Sequence, residues 1–492
     1  MASPTRRSYH LTYAVLAVSF MAFALLQSLV VPVLGVIQAE MHTSQTTATW
    51  LLTAYLLSAS VATPILGRVG DAVGKTKVLV LALGALALGS LLAAISPTIW
   101  LMLVARVIQG LGGGVMPLAF GIIRDEFPKA KISGAVAILA SLGAVGVGCG
   151  SIIAGPIVDL LGFRWLFWLP MIVTTIAAVA AWFVIPPSPV RTPGGISWTP
   201  ALLLSSWLVC LLLGLSQGPT WGWSSPTVLG LLIAAVIAAA MWVYVECHVA
   251  VPLIDMRMMR LPAVWTTNAV ALLLGVGMYA TFGFVPRFVQ TSTEFGYGFG
   301  ASITESGIML LPSAIASFIL GFLTAGFARR WGPKRVVVVG CLLAAVSMFM
   351  IAFMHEYLWQ MYVANAVQGI GNGLVFSCMA SLIVAAVPAE QTGVASGMNA
   401  NIRTIGGAIG TAVMSSIVTA FLLSDGTPAE TGYTIGFAVL GGTLLLAATA
   451  ALFIPPVSPE EYDEIEEELE DEGVRSQLGW VAAGTVVSEK PE

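Results

Sequence analysis

The stretch VARVIQGLGGG, residues 104–114, returns as VANAVQGIGNG at residues 363–373. Each copy sets a glutamine–glycine pair beside closely spaced glycines in a run that is otherwise mostly apolar. A weaker echo joins RVGDAVGKTKV at 68–78 to FARRWGPKRVV at 327–337. Because self-similarity at a fixed offset marks repeated structural units, the chain is predicted to contain two related halves.

The composition of the chain predicts that these halves lie in a membrane. The 492 residues are 58% hydrophobic and only 9% charged, whereas soluble proteins carry about 25% charged residues. Apolar runs of roughly 18 residues or more recur along the chain, each long enough to cross about 30 Å of hydrocarbon as a helix. We therefore predict an all-α integral membrane protein with fourteen spans, at 11–38, 48–69, 78–95, 99–121, 132–157, 165–185, 199–216, 225–246, 264–289, 303–326, 336–354, 357–386, 392–421 and 433–454.

The basic residues set the predicted orientation. If the first span starts inside, seventeen of the 21 lysines and arginines fall on the cytoplasmic side, two fall outside and two lie within spans. Such a bias follows the positive-inside rule for membrane helices. We expect a multi-pass protein with both termini in the cytoplasm.

Four segments are expected from the span pattern. Residues 1–185 form an N-terminal six-helix half, 186–260 a linker with two inserted helices, 261–455 a C-terminal half, and 456–492 an acidic cytoplasmic tail. The tail holds 12 of the 25 acidic residues, and the basic residues before it lie at membrane edges, so no nucleic-acid partner is expected. The five cysteines show no paired spacing, so neither a disulfide, a metal site nor a cofactor is expected.

Two arginines fall within predicted spans. Arg106 opens the repeated motif, and Asn365 takes its place in the second copy. An isolated arginine near mid-bilayer costs about 2.5–3.5 kcal/mol, and such residues usually face the bundle interior and carry function. Arg106 either has a functional role or merely donates hydrogen bonds to carbonyls across helices, and we favour the first. Arg403 is the second buried cation and a further candidate for a role in proton coupling, with Asn399 and Asn401 close by in sequence.

The first interhelical loop carries Gly67, Asp71, Gly74 and Lys75. A nucleotide-binding P-loop is excluded, because Val69 replaces its first glycine and no strand precedes it. Glycines suit a tight turn between antiparallel helices, and Asp71 is placed to face the positive N-terminus of another helix. Lys75 can then bridge to an acid such as Asp125 or Glu126. The alternative is that the basic residues of this loop only set topology.

Several of these motifs resemble those of the major facilitator superfamily. Residues 104–114 resemble the fourth-helix motif of its proton-coupled members, with Arg106, Gln109, Gly110 and Gly112 in matching places. The loop at 67–77 resembles the one whose charges latch the two halves of these transporters in the outward-open state. GVGCGSIIAGPIVDLLGFRW at 146–165 is similar to the antiporter signature, in which small residues allow close helix packing; the positions that match or lie close are Gly150, Gly155 and Pro156.

The chain resembles in particular the fourteen-helix drug:proton antiporters of that superfamily. QGPTWGW at 217–223 and VECHVAVPLIDMRMMR at 245–260 look like the segments that flank their extra helix pair. Many relatives carry an aspartate in the first helix, where this chain has Phe23 followed by Gln27. The resemblance implies a role for Arg106 in proton coupling and a bacterial plasma membrane. Nothing in the sequence predicts a stable oligomer, so a monomer among membrane lipids is expected.

The proton carrier is left open by the missing aspartate. Four carboxylates are close enough to span ends to reach the cavity: Asp159 and Glu305 near outer ends, and Asp71 and Glu246 near inner ends. Glu305 is the best candidate because it opens the tenth span. The alternative for Glu305 is an exposed acid that stabilises the start of its helix. The residues predicted to line a central cavity are Gln27, Asn365, Gln368, Asn399 and Asn401.

The predicted function is export of hydrophobic or amphipathic compounds, such as drugs and antibiotics, in exchange for protons. Duplicated halves with a site at their interface are a common plan of secondary transporters. The alternative is a dedicated metabolite or lipid exporter, or a uniporter, of the same fold with little or no proton coupling. An enzyme is not expected, because the chain lacks an HExxH motif and a cluster of histidine and aspartate at helical spacing. A receptor is disfavoured because no sizeable soluble domain is predicted.

Overall fold

The computed structural model describes residues 9–188, 197–249, 252–388, 391–423 and 426–455. The predicted acidic tail at 456–492 and residues 189–196 of the predicted linker lie outside these described residues. Within the described ranges the chain consists of helices joined by short loops, and an isolated bridge between Leu422 and Pro428 is the only β pairing there.

Fourteen long helices follow one another along the described chain. The first six are α1 (Tyr9–Leu29, continued by the short helix Leu34–Glu40), α2 (Gln45–Val73), α3 (Lys75–Ile95), α4 (Ile99–Gly110 and Val115–Glu126), α5 (Lys129–Leu161) and α6 (Trp165–Val184). The inserted pair is α7 (Trp198–Trp221) and α8 (Pro226–His248). The last six are α9 (Pro262–Gln290), α10 (Ile303–Ile308 and Leu311–Trp331), α11 (Pro333–Phe353), α12 (Leu358–Ala386), α13 (Thr392–Ala420) and α14 (Glu430–Ala451).

The predicted all-helical membrane fold is confirmed. Thirteen helices in the described ranges are long and apolar enough to cross a membrane, and α5, with 33 residues, completes the series of fourteen. Several helices run past their predicted ends: α5 was expected at 132–157 but spans Lys129–Leu161. Hydropathy marks the apolar part of a helix, whereas hydrogen bonding continues into its polar ends, so such differences are expected.

Glycines close the two loops of the weaker repeat. Gly74 lies between α2 and α3 with φ of 123°, and Gly332 lies between α10 and α11 with φ of 80°. Side chains with a Cβ rarely adopt such angles. One residue therefore ends each helix and starts the next, which keeps both pairs antiparallel and close.

The repeated glycine motif sets the packing of α4 and α12. A Cβ at Gly113 would lie 2.7 Å from the carbonyl oxygen of Ala59 on α2. In the second copy, a Cβ at Gly371 would lie 2.8 Å from the amide nitrogen of Ala344 on α11. Small residues let helix backbones approach each other closely in a membrane. Both copies thus have the same role, close packing of the fourth helix of a half against its neighbours.

The inserted pair contacts both halves through α7 and the loop that follows it. Thr53 and Ser216 share a hydrogen bond of 3.1 Å between their hydroxyl oxygens, which joins α2 to α7. After α7, Trp223 donates its indole N–H to Ser416 Oγ on α13, at 2.9 Å. The second inserted helix, α8, instead exposes large apolar side chains such as Val236, which is 70% exposed. That surface suits contact with lipid tails.

Candidate functional site

A cavity lies between the two halves of the bundle. Helices α1, α4 and α5 line it from the first half, and α9, α10, α12 and α13 line it from the second. Its empty volume is about 1020 Å³, including the part that opens to solvent. A site at the interface of the repeats is where secondary transporters bind their substrates.

The walls of this cavity are mainly apolar and include six aromatic rings and three methionines. The rings are those of Phe20, Phe23, Phe120, Tyr279, Phe282 and Phe376, and the thioethers those of Met116, Met278 and Met379. Methionine adapts to ligands of different shape because its side chain is flexible and polarisable. Polar atoms are fewer and come from Gln27, Ser313, Ser317, Asn372, Ser396 and Asn399.

Arg403 on α13 is the only charged residue that lines the cavity in the described part of the chain. Its guanidinium carbon lies 4.8 Å from the ring centroid of Phe376, a cation–π distance. Its Nη2 lies 4.0 Å from the sulfur of Met116 on α4, and Tyr279 is a hydrogen-bonding partner. Its Nε is buried without a hydrogen-bond partner among the described residues. Arg403 therefore reaches across the interface between the halves and retains an unused donor.

Two of the five predicted cavity residues line the cavity. Gln27 donates from Nε2 to the hydroxyl of Tyr279, at 3.4 Å, and Asn399 donates from Nδ2 to Asn268 Oδ1, at 2.9 Å. The other three are buried but do not line it.

Asn365, Gln368 and Asn401 lie where helices pack against each other. Asn365 donates to the carbonyl oxygen of Met361 one turn earlier, at 2.9 Å. Gln368 donates to Thr281 Oγ1 on α9, at 3.2 Å. Both polar atoms of the Asn401 side chain are buried without a hydrogen-bond partner among the described residues. Asn372, which sequence reasoning missed, does line the cavity, although it lies within the repeated motif.

Arg106 is completely buried within the first half, outside the cavity. Its Nε donates to the carbonyl oxygen of Leu51 on α2 at 3.0 Å, and Nη1 donates to Gln109 Oε1 at 2.8 Å. Gln109 in turn donates to Ser90 Oγ on α3, at 2.9 Å. The guanidinium also lies 4.4 Å from the ring centroid of Tyr55. This network ties α2, α3 and α4 together through hydrogen bonds to neutral groups.

The same arginine is connected to the cavity through two tyrosines. Tyr55 stacks on Arg106, and it lies within electrostatic range of Tyr279 on α9. Tyr279 lines the cavity and interacts with Arg403. A run of aromatic and cationic side chains therefore leads from the first half to the second.

The loop between α2 and α3 forms a buried charge cluster. Lys75 Nζ lies 2.9 and 2.8 Å from the two carboxylate oxygens of Asp125 and 3.7 Å from Asp71 Oδ1. Lys75 and Asp71 are only 1% and 2% exposed. A Cβ at Gly393, in the first turn of α13, would lie 3.4 Å from each carboxylate oxygen of Asp71. The carboxylate thus faces the positive end of a helix from the other half.

Gly67 adds to this contact between the halves. A Cβ at this position would lie 3.2 Å from the carbonyl oxygen of Gly393, so only glycine allows α2 and α13 to approach this closely without adjustment. The cluster and Gly67 close the bundle at the end where the α2–α3 loop lies.

The opposite end is closed by α5 and α10. A Cβ at Gly155 would overlap the hydroxyl of Thr304 at the start of α10 and would lie only 3.1 Å from its backbone nitrogen and Cα. One and a half turns earlier on α5, a Cβ at Gly150 would lie 2.8 Å from the carbonyl oxygen of Leu25 on α1. Pro156 lies inside α5, which runs unbroken from Lys129 to Leu161. The glycines of the predicted signature therefore pack α5 against one helix of each half.

None of the four candidate proton carriers, Asp71, Asp159, Glu246 and Glu305, lines the cavity. Glu305 forms a capping box with Ser302: its Oε2 accepts from the Ser302 amide at 2.8 Å, and its own amide donates to Ser302 Oγ at 3.2 Å. It is exposed, as is Asp159 near the end of α5. The geometry of Glu305 matches the alternative of a helix-start acid. Of the predicted proton-coupling residues, Arg403 alone lines the cavity.

Comparison with known proteins places this architecture in a family. The family model described as Major Facilitator Superfamily matches residues 16–411 and 269–489. The chain is 30% identical over 412 residues to the tetracenomycin C resistance and export protein of Streptomyces glaucescens, covering 82% of this chain and 74% of that protein. It is 30% identical over 389 residues to a multidrug resistance protein B homolog of Mycobacterium tuberculosis, covering 76% and 70%.

A solved structure shares the fold. The crystal structure of the human organic anion transporter MFSD10 aligns with a TM-score of 0.63 at 14% sequence identity, covering 91% of this chain and 100% of that one. At this identity the likeness concerns the fold alone. Since the family model spans most of the chain, the resemblance in the sequence is confirmed, and the chain belongs to the major facilitator superfamily as a multi-pass membrane transporter rather than an enzyme.

Proposed function

We propose that this protein exports hydrophobic or amphipathic compounds, such as drugs and antibiotics, from a bacterial cell by exchanging them for protons. It does so from the plasma membrane, with both termini in the cytoplasm and without a cofactor. The observation that carries the proposal is the cavity between the halves, with its aromatic and methionine walls. The resistance and export relatives support the direction of transport.

Alternating access is supported by the two closing contacts. At one end Asp71 faces the first turn of α13, and at the other Gly155 packs against Thr304. Each contact joins the two halves without a covalent link, so each can separate while the other holds. In our proposal the Asp71 end is cytoplasmic, and its buried charges latch the outward-open state.

The proton gradient is the proposed energy source. A charge that returns down 100 mV releases about 2.3 kcal/mol, before any pH gradient is added. Arg106 is the proposed coupling residue, because its stacking on Tyr55 links it towards the cavity. Its hydrogen bonds to neutral groups would change strength if Gln109 or the Leu51 carbonyl moved during the transition.

The second candidate is an exporter of the same fold with little or no proton coupling. It is favoured by one observation: no carboxylate lines the cavity in the described part of the chain, so no obvious group there binds a proton in exchange for substrate.

Transport in reconstituted vesicles tests the proposal. Proteoliposomes with an imposed pH gradient and an internal pH dye would receive lipophilic anions, neutral dyes and cations in turn. Substrate-triggered collapse of the gradient, lost in Arg106→Ala and kept in Glu305→Gln, supports proton antiport. Transport that proceeds without proton movement supports the second candidate, and absence of any transport contradicts both.

A further inference from the structure

We infer that the cavity selects amphipathic anions, with the Arg403 guanidinium binding a carboxylate or phenolate oxygen of a planar aromatic substrate. This inference rests on the proposed function, because it assigns the substrate class of the same cavity. It adds the charge of the transported compound, which neither the fold nor the apolar walls of the cavity determine.

The first argument is the charge balance of the cavity. Arg403 brings a full positive charge to the lining, and no acidic residue of the described ranges joins it there. Its contacts are the ring of Phe376, the sulfur of Met116 and the hydroxyl of Tyr279. A buried charge normally has an opposite charge or a full set of hydrogen bonds. A substrate anion would supply both.

The second argument is the geometry of the guanidinium. The ring of Phe376 lies 4.8 Å from the guanidinium carbon, a contact that uses none of the N–H donors of the group. Nε is one of these donors and has no partner in the described part of the chain. Arginine binds planar oxyanions through paired N–H donors, a recognition that neutral polar groups do not reproduce.

The third argument concerns the surroundings of the guanidinium. Phe282 and Phe376 line the same cavity as Arg403, and Gln27 and Tyr279 supply further hydrogen-bonding atoms. Aromatic rings favour flat aromatic ligands, whereas the few polar groups orient them. An aromatic body with one anionic group is the ligand that uses both kinds of wall. A lipophilic cation would instead face repulsion from Arg403.

An anionic substrate also changes the energetics of export. In a cell whose interior is negative, the membrane potential itself drives an anion outwards. When an anion leaves in exchange for an entering proton, both charges move down this potential, which adds to the proton gradient, and a carboxylate in the cavity would repel such a substrate. The inference therefore accounts for the arginine and for the acid-free lining of the described cavity together.

Three fluorescent probes with one ring system test the selection: 9-anthroate, its neutral carboxamide and the cationic 9-(aminomethyl)anthracene. Binding to the purified full-length protein in detergent would be followed by fluorescence, with protein-free micelles subtracted. We expect 9-anthroate to bind at least about tenfold more tightly than the carboxamide, which corresponds to about 1.4 kcal/mol, and the cation to bind most weakly. Arg403→Gln should abolish this preference, and Arg403→Lys should retain part of it.

Arg287→Gln is the matched control, because Arg287 also lies over a phenylalanine ring of the second half, 5.5 Å from Phe284, but outside the cavity lining. It should leave the preference unchanged. Equal binding of the three probes by the wild type, tighter binding of the cation, or a preference that survives Arg403→Gln would overturn the inference. The wild-type comparison stands even where a variant folds poorly.

Transport of the same probes separates this inference from the proposed function. If 9-anthroate binds through Arg403 but is not carried into proteoliposomes, the export proposal fails and the selection stands. If the neutral and cationic probes are carried while 9-anthroate neither binds nor moves, export stands and the selection is wrong.

Discussion

Lys75 forms a buried ion pair with Asp125, with Nζ 2.8 Å from Oδ2. The pair joins the first turn of α3 to the last turn of α4, and both side chains are only 2% exposed. A buried pair contributes little net stability by itself, because both charges lose their hydration. Removal of either Lys75 or Asp125 is nevertheless costly, because it leaves the other charge buried without its partner.

Asp125→Asn should therefore destabilise the protein more than the loss of one surface charge. Removing one partner of a buried pair costs about 3–5 kcal/mol, although Asp71 at 3.7 Å from Lys75 will reduce this cost. The measurement is thermal unfolding of the purified protein in detergent. Asp159→Asn is the control, because Asp159 is exposed. Equal melting temperatures for the two variants would contradict the buried pair.

Arg106→Ala should uncouple substrate movement from proton movement. In our account the halves can still rock, so exchange of labelled for unlabelled substrate at equal pH should continue. Accumulation driven by a pH gradient should be lost. If exchange and accumulation fall together with the melting temperature, Arg106 only holds α2 and α4 together through Leu51 and Gln109.

Glu305→Gln should leave transport close to wild type. The Glu305 side chain is exposed, accepts a hydrogen bond from the Ser302 amide and lies outside the cavity lining. Glutamine can also serve at this position of a capping box, so the helix start should survive. Initial rates of substrate efflux across a range of pH provide the measurement. Loss of proton-driven efflux with exchange intact would make Glu305 the carrier after all.

Gly155→Val should hinder closure at the α5–α10 end of the bundle. Its side chain would overlap Thr304, so the state in which these helices touch should lose population. Spectroscopic distances between labels at the ends of α5 and α10 should lengthen. The control is Ile153→Val, because Ile153 lies on the exposed face of α5. Gly162→Val is unsuitable because φ at Gly162 is 89°, an angle that valine rarely adopts. Unchanged distances in Gly155→Val would contradict this contact.

The fold could be predicted from hydropathy and from the repeated motif. Because backbone groups in lipid must be hydrogen-bonded within the segment, a long apolar run in the sequence indicates a membrane helix. The charge cluster around Lys75 was also predictable, since Asp71 and Lys75 are four residues apart and Asp125 ends a helix on the same predicted side of the membrane. The rotation of each helix about its own axis, which decides the residues that face the cavity, could not be predicted from the sequence. Asn365 and Asn372 lie in one motif of α12, yet only Asn372 lines the cavity.

One local sequence pattern does indicate the role that Glu305 has in the structure. Ser302 followed three residues later by Glu305 is the pattern of a capping box, which favours a role for Glu305 at the helix start. The environment of Arg403, in contrast, depends on Met116 and Phe376, which lie far from it in sequence. Tertiary packing alone brings such residues together, so the charge character of the cavity was beyond sequence reasoning.

The central claim is tested most directly by measuring substrate and protons in the same proteoliposomes. A pH gradient would be imposed with the membrane potential clamped to zero, and substrate accumulation and internal pH would be recorded together. The account predicts uphill accumulation with matching proton movement, both absent in Arg106→Ala. Accumulation that needs a membrane potential and ignores the pH gradient would contradict proton antiport.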